Sequence, residues 1–312
     1  MPTYNRAHLL PETLDSIREQ TYPDWECIVI DDGSTDTTEN VLNAYIQKDN
    51  RFQYLKRPET IPKGANACRN YGLKICKGDW VQWFDSDDIM HRDSLNTRVG
   101  AVKKDTDLLI SRSAIFEKAI THILYEQKRT RPSQNVLQDF ITQKITWYLP
   151  DGFWNRSFLS NKILFDESLF IGQDRDFHIR MLLENPKILF LKDCLTFYRQ
   201  HAESISNQTQ PDVIYSHFFA LTRQINLVKQ EKLGRDALFF LLRKQLKLYP
   251  LLAAKNEKPF KLFLRSYLKA FKYEWRFLSW GVRFLAGAFS FSLLGKGSVF
   301  FNDSLFKTAN IK

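Results

Sequence analysis

Two apolar, β-like runs that each end in an acidic loop constrain the fold of this chain more than any other feature. Residues 25–30 lead into the first acidic loop (residues 31–36, DDGSTD), and residues 80–84 lead into the second acidic loop (residues 85–88, DSDD). Helical patterns lie between these runs, as in βαβ units around a largely parallel sheet. The patterns predict a strand at about residues 52–56, a helix at about residues 65–75 and a short strand at residues 188–191, whereas residues 130–170 are irregular. Because ligands of such sheets bind beyond the carboxyl ends of the strands, we expect both loops to face one crevice.

The two acidic loops are candidates for binding a metal ion and a nucleotide. Asp85 and Asp87 are two residues apart in an extended segment, so their carboxylates point to the same side and suit Mg²⁺ or Mn²⁺, which bind substrate phosphates. Asp32 is placed to accept hydrogen bonds from a base or a ribose. Alternatively, the second loop only solvates a turn, and Asp31, Asp32 and Asp36 only cap the helix that follows.

Charge divides the chain at about residue 210. Residues 211–312 hold 18 Lys and Arg against 6 Asp and Glu, so this part carries the whole excess behind the net charge of +10. Its apolar residues between 260 and 285 recur at helical spacing, with cations clustered on another face, which predicts a basic amphipathic helix. We therefore expect an α/β domain over residues 1–210 and a basic, aromatic helical extension over residues 211–312.

The chain opens on residues 1–6 (MPTYNR), which read as a loop that enters a helix. A parallel βαβ unit requires a strand before such a helix, and an unfilled central position would leave buried backbone groups unpaired. The first strand is therefore expected upstream of Met1.

Five short motifs make the chain resemble family 2 glycosyltransferases, which have the GT-A fold with a Rossmann-like mixed sheet. The motifs share the order and spacing of that family over about residues 1–205, and they are PTYNR (2–6), DDGSTD (31–36), ACRNYG (67–72), GD (78–79) and DSDD (85–88). The resemblance implies a hexosyltransferase-type enzyme that moves a sugar from a nucleotide-diphosphate sugar, with a UDP-sugar favoured, to an acceptor hydroxyl.

The resemblance also implies roles for individual residues. The residues expected to hold the nucleotide sugar are Pro2, Tyr4, Asn5, Asp32, Arg69, Asp85 and Ser86. Asp85 and Asp87 match the metal-binding DxD element, with Mn²⁺ or Mg²⁺ as the cofactor. Asp174 matches the catalytic base at the start of a helix, and the implied mechanism is a single displacement with inversion at the anomeric carbon.

Other residues near these motifs are assigned on weaker grounds. Gln173 replaces the Glu that often precedes the base, and we expect Gln173 and Trp154 to contact the acceptor. His178 and His201 are interpreted as structural, since a single histidine near a site is more often a hydrogen-bonded core residue. The run YRQH at residues 198–201 resembles the end of many non-processive members of the family, which favours transfer of one sugar per encounter.

The basic extension has two interpretations. We favour attachment to the surface of an anionic membrane, which would keep the enzyme beside a glycan or lipid-linked acceptor. The alternative is a helix that packs its apolar face on the protein and leaves its cations in water. Nucleic acid is not expected as a partner, because no recognisable nucleic-acid module is present.

The resemblance also implies a role in surface polysaccharide or glycolipid biosynthesis, and we expect the enzyme on the cytoplasmic face of the membrane. The four cysteines match no zinc or haem spacing, and no secretory signal is recognised, so they are expected to be reduced. Two other functions remain open, namely a nucleotidyltransferase that uses a nucleoside triphosphate and a non-catalytic protein that binds nucleotide sugar or membrane. The presence of both Asp87 and Asp174 argues against the non-catalytic alternative.

Overall fold

A computed structural model describes residues 1–127, 134–200, 210–255, 259–271 and 278–294 of the chain. The chain divides into two compact units. The first comprises Met1–Leu137, Lys144–Leu169 and Gln173–Ser204, and the second comprises Gln138–Gln143, Phe170–Gly172 and Ile205–Lys312. Each unit is described by itself below.

A three-stranded parallel sheet, in the order β1-β2-β3, opens the first unit. Its elements in chain order are β1 (Pro2–Thr3), α1 (Leu10–Arg18), β2 (Cys27–Asp31), α2 (Thr38–Lys48), β3 (Phe52–Lys56) and α3 (Ala65–Ile75). Residues 10, 14 and 17 of α1 recur at helical spacing, and all three are buried in one core with β2 and β3. The first acidic loop follows β2 directly, as its sequence position predicts.

The start of the chain differs from the sequence interpretation. Residues 1–6 were expected to contain no strand, but Pro2–Thr3 form β1, which pairs with Ile30 and Asp31 of β2. The Met1 ammonium also donates to the carbonyl of Ile28. The motif was interpreted as a loop because a two-residue strand is too short to show a period of two.

A second, mixed sheet has the order β4-β8-β6-β9-β5, with β7 paired to β6. Its strands are β4 (Trp80–Val81), β5 (Ile89–Met90), β6 (Leu108–Phe116), β7 (Ile123–Glu126), β8 (Gly152–Asn155) and β9 (Ile188–Arg199). β6 and β9 are parallel, and the other pairs are antiparallel. The prediction of an α/β fold with a mixed sheet is therefore confirmed.

The helices that accompany the second sheet are short. They are α4 (Ser94–Ala101), α5 (Val136–Ile141), the 3₁₀ turn Leu149–Asp151, α6 (Arg156–Leu159) and α7 (Gln173–Leu183). The segment from residue 130 to 170, which the sequence presents as irregular, thus contains β8 and three short helical pieces among its described residues.

The second unit is built mainly from helices with an aromatic core. These helices are α8 (Pro211–Gln230), α9 (Arg235–Leu246), α10 (Tyr249–Ala253), α11 (Phe260–Phe271) and α12 (Leu278–Leu294). Phe263 of α11 contacts Phe218 and Tyr249 at ring-centroid distances of 4.6 and 5.4 Å, and Tyr249 contacts Phe284 of α12 at 5.2 Å. The apolar stripe of α11 is therefore partly buried within its own unit.

The amphipathic helix predicted over residues 260–285 corresponds to two helices, α11 and α12, while residues 272–277 lie outside the described part of the chain. α11 and α12 approach closely at Gly281, where a Cβ atom would lie 1.8 Å from the Tyr267 hydroxyl. Among the described helices, none combines the length and the apolar character needed to span a bilayer.

Candidate active site

The first acidic loop is shaped by Asp31. Its Oδ1 accepts hydrogen bonds from the backbone N–H and the hydroxyl of Ser34, at 2.9 and 2.6 Å, and its Oδ2 accepts one from the Tyr54 hydroxyl at 3.1 Å. Gly33 has a φ of +91°, a region that favours glycine. Asp31 therefore closes a tight turn and holds β3 beside it, which leaves Asp32 as the loop's candidate ligand.

Asn5 joins the start of the chain to the first acidic loop. Its Oδ1 accepts a hydrogen bond from the Thr35 N–H at 2.8 Å, and its own N–H donates to the Ser34 hydroxyl at 2.9 Å. Beside it, Tyr4 is 44 % exposed, and the Lys63 ammonium lies 4.3 Å from the centroid of its ring. Asn5 thus holds the loop in place, and Tyr4 presents an aromatic face next to it.

Asp32 forms a nearly buried ion pair that the sequence did not reveal. Its Oδ1 lies 2.5 Å from Nε of Arg57, which follows β3, and Arg57 also donates to the carbonyl of Pro58. Asp32 is also close enough to Cys68 that burial, and then the Asp32 charge, raise the pKa of that thiol to about 12. Asp32 is therefore fixed in orientation beside the first turns of α3.

The second acidic loop meets the same turns of α3. Arg69 is buried, and its Nη2 lies 2.7 Å from Oδ1 of Asp85 while its Nη1 donates to Asn66. Both acidic loops therefore border α3, as expected for loops at the carboxyl ends of strands. Ser86 is buried between the flanking carboxylates, and Pro2 is buried in β1.

Arg199, the last residue of β9, clamps the second acidic loop from the other side. Its backbone N–H donates to Oδ1 of Asp88 at 3.0 Å, and its Nε donates to the carbonyl of Asp87 at 2.8 Å. Its guanidinium also pairs with Glu12 of α1 and lies 4.6 Å from the ring centroid of Phe116. The YRQH run was the signal in the sequence, although nothing local identified the acidic loop as its partner.

The second acidic loop has the chemistry that a divalent cation requires. Asp88 is buried, its Oδ2 has no hydrogen-bond partner, and its pKa is raised by burial and then by the charges of Asp87 and Asp85. Concentrated carboxylate oxygens of this kind suit Mg²⁺ or Mn²⁺. No set of three or more Asp, Glu, His or Cys side chains within the described residues forms a complete metal cage.

Asp174 lies in the first turn of α7, half-buried, and its Oδ1 accepts a hydrogen bond from the backbone N–H of Arg175 at 2.7 Å. The positive end of the helix dipole lies at this end of α7. Asp176, two residues on, is buried and pairs with Arg180 at 2.8 Å, so it has a structural partner. The Oε1 atom of Gln173 is buried and has no hydrogen-bond partner.

Two stacked tyrosines are influenced by Asp174 on one side and by the carboxylates of the second acidic loop on the other. The rings of Tyr148 and Tyr198 are 4.7 Å apart and inclined by 14°. The pKa of Tyr148 is raised by burial and by neighbours that include Asp174, whereas the pKa of Tyr198 is raised by burial and then by Asp88, Asp85 and Asp87. The predicted base and the second acidic loop are thus both close to one aromatic pair, which the sequence analysis missed.

The prediction that Trp154 contacts the acceptor is wrong. Its side chain is 0 % exposed and packs against Phe158 and Phe177, with ring centroids 5.8 and 5.4 Å apart. In the sequence, an aromatic residue that contacts a ligand cannot be told from one that is buried in the core next to the site. Only the burial seen in the structure distinguishes the two.

His178 lies in the same aromatic cluster. It contacts Trp147 and Trp154, and burial followed by the charge of Arg175 lowers its pKa to about 3. It is therefore a neutral core residue at physiological pH, in agreement with the structural interpretation. His201 lies outside the described residues.

A cavity of about 400 Å³ in the first unit is separate from the predicted crevice. It is lined by residues that include Met1, Ile28, Cys68, Arg69 and Phe84. None of the carboxylates Asp32, Asp85, Asp87 and Asp174 lines it, so this cavity is not the predicted crevice.

Comparison with known proteins assigns these motifs to a family. The model of the family described as glycosyl transferase family 2 matches residues 1–164, which is more than half of the chain. The chain belongs to glycosyl transferase family 2. The resemblance inferred from the sequence motifs is thus confirmed, and with it the identification of the chain as a glycosyltransferase.

Two curated relatives are distant from this chain in sequence. Glycosyltransferase GlyG of Streptococcus pneumoniae is 27 % identical over 216 residues, covering 66 % of this chain and 71 % of that protein. Poly(ribitol-phosphate) beta-N-acetylglucosaminyltransferase TarS of Staphylococcus aureus is 26 % identical over 244 residues, covering 76 % of this chain and 41 % of that protein. The chain thus spans less than half of the length of TarS.

Solved structures agree in fold. Residues 1–349 of S. aureus TarS in complex with UDP-GlcNAc match with a TM-score of 0.56 at 21 % identity, over 80 % of this chain and 70 % of that one. Mannosyltransferase PcManGT of Pyrobaculum calidifontis, in complex with GDP-Man and Mn²⁺, matches with a TM-score of 0.53 at 20 % identity, over 95 % of this chain and 86 % of that one. These likenesses establish the GT-A fold.

Proposed function

We propose that this glycosyltransferase moves a sugar from a nucleotide-diphosphate sugar, with a UDP-sugar favoured, to an acceptor hydroxyl with inversion at the anomeric carbon. One observation carries the proposal: the Asp174 charge acts on Tyr148 and the charges of the second acidic loop act on Tyr198, and these two tyrosines stack on each other at 4.7 Å. The complex of TarS with UDP-GlcNAc supports the donor class.

Asp174 is the proposed general base. Its half-buried carboxylate at the start of α7 would accept the proton of the acceptor hydroxyl as the new glycosidic bond forms. The departing nucleoside diphosphate would leave from the opposite face of the sugar, towards the second acidic loop. This arrangement gives one displacement and an inverted product.

The proposed donor site lies along the two acidic loops. Asp32, fixed by Arg57, would accept hydrogen bonds from the base or ribose, and the exposed ring of Tyr4 would lie against the nucleotide. Arg69 would act by holding Asp85 rather than by direct contact, because its guanidinium is buried and already bonded to that carboxylate. Asn5 would preserve the shape of the first acidic loop.

Asp85 and Asp87 are the residues proposed to hold Mn²⁺ or Mg²⁺. A divalent cation bound there supplies Lewis-acid neutralisation of the charge that grows on the diphosphate. Mn²⁺ in the PcManGT complex supports this choice of cofactor class. Arg199 would keep the loop in its binding shape through the Asp87 carbonyl and the Asp88 carboxylate.

The acceptor is proposed to be a glycan or lipid-linked glycan in surface polysaccharide or glycolipid biosynthesis, at the cytoplasmic face of a membrane. TarS, whose name gives poly(ribitol-phosphate) as its substrate, supports a cell-surface polymer. The second unit supports a membrane surface, because Val282, Leu285 and Phe289 form an exposed apolar stripe on α12 within a strongly basic part of the chain.

Product analysis tests the proposed reaction. Purified protein is incubated with Mn²⁺ or Mg²⁺, a panel of nucleotide sugars and a panel of p-nitrophenyl glycosides, and the products are analysed by NMR. We expect release of nucleoside diphosphate and a product whose anomeric configuration is opposite to that of the donor. Release of pyrophosphate from a nucleoside triphosphate would instead identify a nucleotidyltransferase, and a retained configuration would exclude Asp174 as the base of a single displacement.

A further inference from the structure

Three tyrosines from distant parts of the first unit form a cluster that the proposed reaction has not yet used. Tyr125 lies on β7, Tyr148 precedes the 3₁₀ turn, and Tyr198 lies near the end of β9. We propose that this tyrosine cluster, defined as Tyr125, Tyr148 and Tyr198, is the platform on which the sugar ring of the acceptor stacks. The inference rests on the proposed function, because it takes Asp174 as the base.

Strand register brings two members of the cluster to one face of the second sheet. Ile115 of β6 is the partner of Tyr125 on one side and of Tyr198 on the other. Residues in register on neighbouring strands project to the same face of a sheet. Tyr125 and Tyr198 therefore flank Ile115 on a single face, although 73 residues separate them in the chain.

A buried carboxylate fixes the third member on that face. Ser113, two residues before Ile115 and so on the same face of β6, donates its hydroxyl to Oδ1 of Asp151 at 2.6 Å. The other oxygen of Asp151 accepts the backbone N–H of Tyr148 at 2.8 Å. Tyr148 then stacks on Tyr198, and Tyr125 is close enough to contribute, after burial, to the raised pKa of Tyr148.

The position of the cluster selects the acceptor as its ligand. An acceptor hydroxyl must come within hydrogen-bond reach of the general base, and Asp174 is close to Tyr148. The donor nucleotide has its proposed place at the first acidic loop and α3. Tyrosine rings offer an apolar face to the C–H groups of a pyranose and a hydroxyl to its oxygens, which is the chemistry of carbohydrate recognition. Tyr125 is 53 % exposed, so the platform is open to solvent.

The chain offers a matched control on the same strand. Leu124 is 44 % exposed and directly precedes Tyr125, at the irregularity in register where Phe116 pairs with Ile123 and Ile115 pairs with Tyr125. Tyr125→Ala and Leu124→Ala remove exposed side chains of the same hairpin, but only the first alters the cluster. Tyr125→Phe retains the ring and removes the hydroxyl, which separates stacking from hydrogen bonding.

The experiment uses p-nitrophenyl glycosides in two ways. Transfer assays measure the KM for the glycoside as acceptor, and saturation-transfer NMR with UDP present measures its binding. For Tyr125→Ala we expect the KM for the glycoside to rise about three- to ten-fold, which corresponds to the loss of one aromatic contact. Saturation transfer to the glycoside should fall to match. The KM for the glycoside should rise less in Tyr125→Phe than in Tyr125→Ala. In Leu124→Ala both the KM and the saturation transfer should equal those of the wild-type protein. The KM for the donor should stay constant in all three variants.

The outcomes separate this inference from the proposed function. An unchanged glycoside KM in Tyr125→Ala, an equal rise in Leu124→Ala, or no saturation transfer with the wild-type protein would each overturn the platform. If glycosides bind in a way that depends on Tyr125 but no nucleotide sugar is turned over, the proposed reaction is wrong. The inference that the tyrosine cluster binds a sugar ring would still be supported.

Discussion

At the scale of the residue, carboxylates that look alike in the sequence differ in the partner that each one meets. Asp31 closes a turn, Asp32 pairs with Arg57, and Asp176 pairs with Arg180. All of these carboxylates lie at the end of a strand or at the start of a helix, so their local sequence context does not distinguish their roles. Their partners come from distant segments, and for that reason the motif identified the loops but not the function of each carboxylate.

The buried His178 predicts a specific dependence of stability on pH. Its folded pKa of about 3 lies below the ordinary value of 6.5, so between these values the unfolded chain binds the extra proton. The stability contributed by neutral His178 is thus present above pH 6.5 and is lost as the pH falls towards 3. His178→Phe keeps the ring contacts with Trp147 and Trp154, and it should move the midpoint of acid unfolding to lower pH.

Acid titration followed by tryptophan fluorescence measures this midpoint. His8→Gln is the matched control, because His8 is exposed and its replacement should leave the midpoint unchanged. A His178→Phe variant that unfolds at the same pH as the wild-type protein would show that His178 does not contribute to acid sensitivity.

At the scale of the element, the sequence predicted those helices and strands whose bounds depend on the local pattern of apolar and polar residues. The bounds of β3 and α3 agree with their predicted ranges of 52–56 and 65–75. The run 80–84 was predicted as one strand, but only Trp80–Val81 pairs with β8, while Trp83 turns into the aromatic core against Phe177. An apolar run does not distinguish a paired strand from a buried loop.

β9 is longer than predicted, whereas β4 is shorter than predicted. It was predicted over residues 188–191 and extends to Arg199, because β6 offers a parallel partner along this length. That extension places Tyr198 and Arg199 at the second acidic loop. The tyrosine cluster and the Arg199 clamp depend on pairing between distant strands, so no local pattern could predict either of them.

The Arg199 clamp predicts that the shape of the second acidic loop controls the metal requirement. Arg199→Met keeps a side-chain stem to pack on Phe116 and retains the backbone bond to Asp88, but it removes the bonds to Asp87 and Glu12. Loss of a charge-assisted hydrogen bond costs about 1.5–3 kcal/mol. We expect the Mn²⁺ concentration for half-maximal activity to rise at least about ten-fold.

Arg112→Met is the control for this experiment. Arg112 lies on β6 and pairs with the exposed Glu126, so its loss should leave the metal requirement within about two-fold of wild type, as expected for a surface ion pair. An Arg199→Met variant with the Mn²⁺ dependence of the wild-type protein would contradict a positioning role for Arg199.

At the scale of the whole molecule, a nearly neutral catalytic part precedes a strongly basic one. In the helical second unit, the predicted apolar stripe of α11 buries Phe263 and Tyr267, which the sequence could not show because burial depends on the neighbouring helices. The exposed apolar stripe lies on α12, at Val282, Leu285 and Phe289. Membrane attachment therefore predicts an interface on α12 more than on α11.

Vesicle co-sedimentation tests this interface. The wild-type protein should sediment with vesicles that contain phosphatidylglycerol, and replacement of the three α12 stripe residues by serine should abolish most of that binding. Neutral phosphatidylcholine vesicles are the control, because they lack the charge that attracts the basic extension. Equal sedimentation of the wild-type and triple-serine proteins would exclude the α12 stripe as the membrane interface.

The most direct test of the account compares donor binding and sugar transfer in the wild-type protein and in Asp174→Asn. Calorimetry with UDP and Mn²⁺ measures binding, and release of nucleoside diphosphate in the presence of acceptor measures transfer. Because Asp174 is proposed to act only on the acceptor proton, the variant should bind UDP with an unchanged Kd and lose at least about 100-fold in transfer rate. Transfer at the wild-type rate by Asp174→Asn would contradict the central claim that this carboxylate is the base.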